Sequence, residues 1–241
     1  MWNGRVMFGD GWVDYLGATD QNTAHAHSAT QLAFGLHAEL CIEWARGTTE
    51  ANRVLIPAGI RHVVQCNHEQ VRFIYLAPHN ALNRAMLTRF DATSVIALDA
   101  EILTSVSASS DFSVIEPTLL SLFAPVPEIV LALTSALKHL RDDMNGPGAI
   151  SRAAVGVGLS ESRLRALVKE QLGVPLSQWL LWRKLERSAS AIVSGASLSA
   201  AAADGGFADQ AHLARTMRRM FGITTRTAAR PLRTHKRFVQ D

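Results

Sequence analysis

Two stretches of the chain repeat each other, and that repeat limits the possible folds more than any other feature of the sequence. One runs from Gly158 to Gly173 (GLSESRLRALVKEQLG), and the other from Gly206 to Gly222 (GFADQAHLARTMRRMFG). Aligned on their closing glycines, they pair Leu164 with Leu213, Val168 with Met217 and Leu172 with Phe221. Each set is an i, i+4, i+8 stripe, the buried edge of an amphipathic helix. Ser160 is placed to cap the first helix, and Asp209 or Ala208 stands at the same point in the second. Short helical patterns over Ile150–Val157 and Ser199–Asp204 precede them, each followed by a turn glycine. Short helix, glycine turn and second helix make the helix-turn-helix plan. Between the copies, Leu176–Val193 carries Trp179, Leu180, Trp182, Leu185 and Ile192, as expected of one long helix fixing the spacing of the two units. No strand pattern occurs after Ala149.

Charge points to what such a pair of units would meet. The net charge is only +3, but residues 1–149 hold nine basic against fifteen acidic side chains, a balance of −6. Residues 150–241 hold fifteen against six, a balance of +9. A polyanion partner is therefore expected for the second part alone, and a DNA-compacting protein with cations along its whole length is disfavoured. The outward faces of the repeated helices carry Ser162, Arg163, Arg165 and Lys169, then Gln210, His212, Arg215, Arg218 and Arg219. These are donors for phosphate oxygens and base edges of double-stranded DNA. Two such helices on one frame can enter successive major grooves, roughly 34 Å apart.

Residues from about 127 to 230 resemble the DNA-binding domain of the AraC/XylS transcription regulators. The likeness rests on Gly158-Leu-Ser160, Leu164, Gly173, Arg183-x-Leu185, Gly206-Phe207, Asp209-Gln210 and the closing Arg218-Arg-Met-Phe-Gly222. It implies that Ser162 and Arg165 read bases in the first unit, and Gln210 and Arg215 in the second. Arg163, Lys169, Arg218 and Arg219 then correspond to phosphate contacts or solvated charges. The sequence departs from that pattern at Thr225, where proline is usual, and at Ala228, Val168 and Met217, where aromatic residues are common.

The acidic part has a different texture. Short apolar runs at 31–36, 40–44, 53–56, 62–64 and 71–76, broken by Gly and Pro, predict the strands of a small sandwich or barrel. Six of the nine histidines fall before residue 80. His25-x-His27, followed by Gln31 and then by Pro57-x-Gly59-x-x-His62, resembles the cupin fold, with Gln31 where that fold usually has a glutamate ligand. Residues i and i+2 of a strand share a face, so His25 and His27 can converge. Neutral imidazoles suit Zn, Ni, Fe or Cu, making His25, His27 and His62 a possible divalent transition-metal site with Gln31 as a weaker fourth ligand. They serve equally as polar lining of a pocket for an organic effector. His37, His68 and His79 find no matching partners and are expected on the surface or in loops.

Leu, Ile and Val at helical spacing predict helices over 94–106 and 117–140, with Pro117, Pro125 and Pro127 as breaks; their apolar faces would pack on the barrel or build a homodimer interface. Asp142-Asp-Met-Asn-Gly-Pro-Gly148 reads as a linker. The expected fold class is α+β, an N-terminal cupin-like β-barrel plus a C-terminal all-α domain with two helix-turn-helix units. The boundaries are 1–112 for sensing and dimerisation, 113–148 for a helical connector and 149–241 for DNA binding. With two cysteines, Cys41 and Cys66, no disulfide framework is possible, although one bridge is. No run of about 20 apolar residues suggests a membrane span, no leader pattern opens the chain, and a cytoplasmic location is expected. The function that follows is a sequence-specific DNA-binding regulator whose barrel senses a small molecule or metal ion. The competing class is a metal-dependent, dioxygenase-like cupin enzyme fused to a DNA-binding domain. Asp14, Glu39 and Glu43 lack the spacing of a general base to the histidine pair, and no phosphate-binding glycine loop or nucleophile elbow occurs.

Overall fold

A computed structural model describes residues 3–20, 22–66, 70–98 and 111–234. The N-terminal part is built from β1 (Asn3–Gly9), β2 (Trp12–Ala18), β3 (Thr30–Gly35), β4 (Leu40–Trp44), β5 (Gly47–Ala51), β6 (Arg53–Ile56), β7 (His62–Gln65), β8 (Gln70–Leu76) and β9 (Ile96–Ala97). One sheet has the order β1-β2-β8-β3-β6-β9 and the other β5-β4-β7. Every pairing is antiparallel. The expected closed barrel is not seen among the described residues. Each sheet keeps two free ends, and the chain crosses between sheets at Asn52, whose carbonyl accepts from Gly35 N–H at 2.9 Å. An isolated bridge between His25 and His62 adds one more rung beside β7.

The larger sheet is buried on both faces, which explains why β3 and β8 are near-continuous apolar runs rather than alternating ones. One face, with Tyr15, Ala33, Val54, Ile56, Phe73 and Tyr75, packs against Leu40, Ile42 and Val64 of the smaller sheet. The other, with Trp12, Leu32, Leu55, Ile74 and Leu76, packs under α1 (Ala81–Arg89) and α2 (Phe112–Ser121).

Where a helix was expected over 94–106, residues 96–97 pair with β6 as β9, and 99–106 lie outside the described residues. Pro117 does not break a helix either. It sits exposed inside α2, where its missing N–H costs one main-chain hydrogen bond. The 117–140 segment divides at 122–130, around Pro125 and Pro127, into α2 and α3 (Leu131–Asp142).

The remainder is helical: α4 (Ala149–Val155), α5 (Glu161–Leu172), α6 (Leu176–Val193), α7 (Leu198–Asp204), α8 (Gln210–Phe221) and α9 (Thr225–Thr234). Helices α4–α5 and α7–α8 form the two helix-turn-helix units. Ser160 accepts from Arg163 N–H at α5, and Asp209 accepts from His212 N–H at α8. Gly173 and Gly222 end these helices in the left-handed conformation, at φ 73° and 69°. At 18 residues, α6 is about 27 Å long and spans the interval between the units. Both cysteines are free thiols; Cys66 lies 2.6 Å from Thr19 Oγ1.

Candidate functional site

The cationic surface follows from the helix periodicity. In α5, Leu164, Leu167, Val168 and Leu172 are buried, so Ser162, Arg163, Arg165 and Lys169 are turned to solvent. In α8, Leu213, Thr216 and Met220 are buried, leaving Gln210, His212, Arg215, Arg218 and Arg219 exposed. Several of these side chains are already engaged. Arg165 and Arg163 lie 3.7 Å from Glu161 and Glu170, and Lys169 Nζ donates to the Gly173 carbonyl at 2.6 Å. His212 Nδ1 accepts from Ala208 N–H at 3.4 Å, and its ring meets Phe207 edge-on, so it braces the start of its own helix. Exposed pairs of this kind hold little energy and yield readily to a phosphate.

The two units sit differently against the sandwich. The core of the first is built from α3, α4, α5 and the start of α6, including Leu133, Leu140, Leu164, Val168 and Trp179. The core of the second runs on into the sandwich: Trp182, Leu185, Phe207, Leu213 and Met220 share one buried cluster with Tyr15, Phe73 and Tyr75. Tyr75, Trp182 and Phe221 form an aromatic knot with ring centroids 5.5–6.1 Å apart. Main-chain bonds add to this join. Thr23 N–H and Oγ1 both donate to the Gly222 carbonyl, at 3.0 and 3.2 Å, and Ala26 N–H donates to that of Arg219 at 3.3 Å.

An apolar cavity opens at this junction, between Val13, Tyr15 and Tyr75 of the sheet, Trp182 and Leu185 of α6 and Phe221 of α8. Glu186 stands at its margin. One carboxylate oxygen accepts from Trp182 Nε1 at 2.6 Å, and the other lies 2.6 Å from Arg183 Nη1. Burial pushes the carboxyl up to about 7 against the opposing pull of Arg183 and Trp182. Composition gave no sign of this cavity, because its walls come from β1, β2, β8, α6, α8 and α9.

His25, His27, Gln31 and His62 are all buried and converge as the sequence suggested. The rings of His25 and His62 are 4.3 Å apart, and those of His27 and His62 5.2 Å. Each Nδ1 meets a backbone carbonyl: Thr23 for His25 (2.9 Å), Ala29 for His27 (2.6 Å) and Ile60 for His62 (2.9 Å). A carbonyl can only accept, so each Nδ1 carries a hydrogen, which leaves Nε2 of neutral His25 and His62 with a lone pair. His62 Nε2 has no hydrogen-bond partner, and His27 Nε2 lies 2.9 Å from Gln31 Oε1, a second acceptor. Burial, with mutual repulsion, lowers His25 to about 3 and His62 to about 2, and burial also lowers His27, so the cluster is neutral at physiological pH. One ring nitrogen from each histidine lies within 4.8 Å of the others. Three neutral imidazoles, each oriented by a carbonyl behind it, fit the donor set of a divalent transition metal.

His79 lies in the turn after β8, within the surface-or-loop expectation, but it does have a partner: Trp179 Nε1 donates to its Nδ1 at 3.1 Å, tying the start of α6 to the end of β8. His37 is exposed, and His68 lies outside the described residues. Of the carboxylates considered for catalysis, Asp14 is buried and held by both Nε and Nη2 of Arg72, at 3.1 and 2.7 Å. Glu43 accepts from Gln65, and Glu39 is exposed.

Residues 153–230 match a family model described as a helix-turn-helix domain. The match runs across both helix-turn-helix units of the basic half, from the end of α4 through α5, α7 and α8. No curated protein shows significant similarity to the chain. Among solved structures, ToxT from Vibrio cholerae O395 is similar with a TM-score of 0.60 at 9% identity, over 94% of this chain and 100% of that one. Wild-type ToxT of strain SCE256 bound to an unsaturated fatty acid gives 0.58 at 9%, over 98% and 100%. At that identity the likeness shows a shared fold, with a β-rich N-terminal part before the helix-turn-helix half. No described helix is long and apolar enough to cross a membrane.

Proposed function

We propose that this protein is a sequence-specific DNA-binding transcription regulator whose N-terminal sandwich senses a small effector. The observation that carries the reading is the pair of capped helices, α5 and α8, with exposed cationic faces on one frame set by α6. Ser162, Arg165, Gln210 and Arg215 are assigned to bases, and Arg163, Lys169, Arg218 and Arg219 to phosphates, with His212 positioning the start of α8. The working division is 1–112 for sensing, 113–148 for the connector and 149–241 for DNA binding. Exposed Val114, Leu122, Val130 and Leu131 on and beside α2 and α3 are the surface we assign to homodimerisation.

The effector site we favour is the apolar cavity at the junction. Its walls belong to both parts, so an occupant changes the free energy of their contact and shifts the population of DNA-competent arrangements. ToxT, which shares the fold, has been crystallised with an unsaturated fatty acid. Here the cavity has no Lys or Arg among its described lining residues and has Glu186 at its margin, which favours a molecule that is apolar over its whole length.

The test begins with selection of a bound sequence from random duplexes. Arg165→Ala and Arg215→Ala should each lose roughly 1–3 kcal/mol on the selected site and relax base preference. Arg218→Ala should weaken binding to all sequences alike and lower the salt slope. Equal losses on selected and random DNA for all three variants would sink the assignment of base readers.

A further inference from the structure

The three histidines are wired to the end of the second recognition helix. His25 Nδ1–H donates to the Thr23 carbonyl, and Thr23 donates in turn, from N–H and Oγ1, to the carbonyl of Gly222. Ala26 N–H reaches Arg219, one turn earlier in α8. The His27 ring packs 6.4 Å from that of Phe221, the last residue of α8. The join leaves no slack at Gly222, where a Cβ would overlap the Thr23 carbonyl oxygen and come within 2.9 Å of His25 Nδ1. The segment 23–27 therefore has the histidines on one side and the last turn of α8 on the other.

We propose that a divalent transition-metal ion held by His25, His27 and His62 is read by the second helix-turn-helix unit through the Thr23–Gly222 contact. The buried Nε2 of His62 has no hydrogen-bond partner, so a cation satisfies it without displacing one, and only the His27–Gln31 contact has to give way. Metal–nitrogen bonds of about 2.1 Å at tetrahedral angles need nitrogens about 3.4 Å apart. Gathering atoms that now lie within 4.8 Å thus draws the rings inward by an ångström or so. Because His25 is bonded to Thr23, the shift reaches Gly222. Gln31 Oε1, already 2.9 Å from His27 Nε2, offers a fourth donor. The ion stiffens segment 23–27 and tightens its hold on α8, while α5, where a Cβ on the closing Gly173 would meet nothing, is unaffected. This inference rests on the reading of the chain as a DNA-binding regulator.

The experiment uses the full chain, stripped with chelator and titrated with Zn(II) and, separately, Ni(II) by calorimetry, with hydrogen exchange followed by mass spectrometry. The expected result is about one equivalent bound, with slower exchange in segments 22–27 and 217–223 and none of that change in α5. His62→Ala, which lies away from α8, should lose both the binding and the protection. Gly222→Ala should still bind the ion but lose the protection at 217–223. Circular dichroism confirms that each variant is folded. No binding of either ion by folded protein overturns the proposal, as does binding that leaves 217–223 unchanged. DNA binding by the stripped protein is measured in parallel. If it binds a selected site, the regulator reading stands whatever the metal result; if no sequence is bound with or without metal, that reading fails instead.

Discussion

The two helix-turn-helix units are near copies in sequence and unlike in their surroundings. The first closes its own core with α3, and the described contacts joining it to the sandwich lie at its edge: Trp179 on His79, Ser28 Oγ donating to Gln178, and Ala58 against the α3–α5 core. The second has only a small cluster of its own, Ile192, Ala201 and Ala229, and even that meets Val6 and Phe8 of β1; Trp182, Leu213 and Met220 are buried together with sheet residues. Closing glycines show the same contrast. Both adopt positive φ, yet a Cβ at Gly173 would meet nothing while one at Gly222 would strike the sandwich. A duplicated DNA-binding element thus has one half with a core of its own and one half whose packing is also the packing of the sandwich. Under the proposed function, coupling between effector and DNA requires no long relay, because one unit already shares its hydrophobic core with the sandwich.

The sharpest way to break this contrast is at Trp182. Trp182→Ala removes the ring that packs against both Tyr75 and Phe221 and should cost about 3–5 kcal/mol. In denaturant unfolding it should destabilise α7–α9 and the sandwich together; Leu167→Ala, of order 2–5 kcal/mol, should act on the first unit and leave the sandwich near its wild-type midpoint. If Trp182→Ala leaves the sandwich midpoint unmoved, the shared core is not an energetic unit.

A second effect comes from pH. Burial raises Glu186 from 4.5 to about 7, so between those values the folded state holds a proton that the unfolded state has released. Stability should therefore fall as pH rises through that window, by of order 3 kcal/mol at most. Glu186→Gln should flatten that part of the profile. An unchanged slope in the variant would mean that the Arg183 pair keeps the carboxylate ionised throughout.

The glycines give the smallest contrast. Gly173→Ala should cost about 1–2 kcal/mol, the backbone penalty alone. Gly222→Ala should cost at least about 1 kcal/mol more, from the added collision with Thr23. Equal losses by thermal unfolding would show that the Thr23 contact gives way freely.

Much of this was legible in the sequence, for reasons that local physics explains. The recognition helices announce themselves through stripe, cap and closing glycine, all within 16 or 17 residues. The strands β3, β4, β6, β7 and β8 are visible as apolar runs because burial on one or both faces demands them. Strands β1, β2 and β5 were not: Gly4, Gly9, Gly11 and Gly17 interrupt the first two, and β5 is the polar, largely exposed segment Gly-Thr-Thr-Glu-Ala. They are strands because of their partners. The helix expected at 94–97 failed for a related reason, since pairing of Ile96 with Leu55 overrides a helical apolar spacing. The convergence of His25, His27 and His62 could be read from strand parity. Their attachment to Gly222 could not, because Thr23 and Gly222 are 199 residues apart and neither carries a distinctive side-chain signal.

Native-state hydrogen exchange on the full chain, resolved to individual amides, tests the asymmetry most directly. The account predicts that amides of α7 and α8 open with the same free energy, and the same denaturant dependence, as those of β2 and β8, while α4 and α5 open separately. If α4–α5 and α7–α8 instead open together as one unit, apart from the strands, the claim that the second unit shares its core with the sandwich is contradicted.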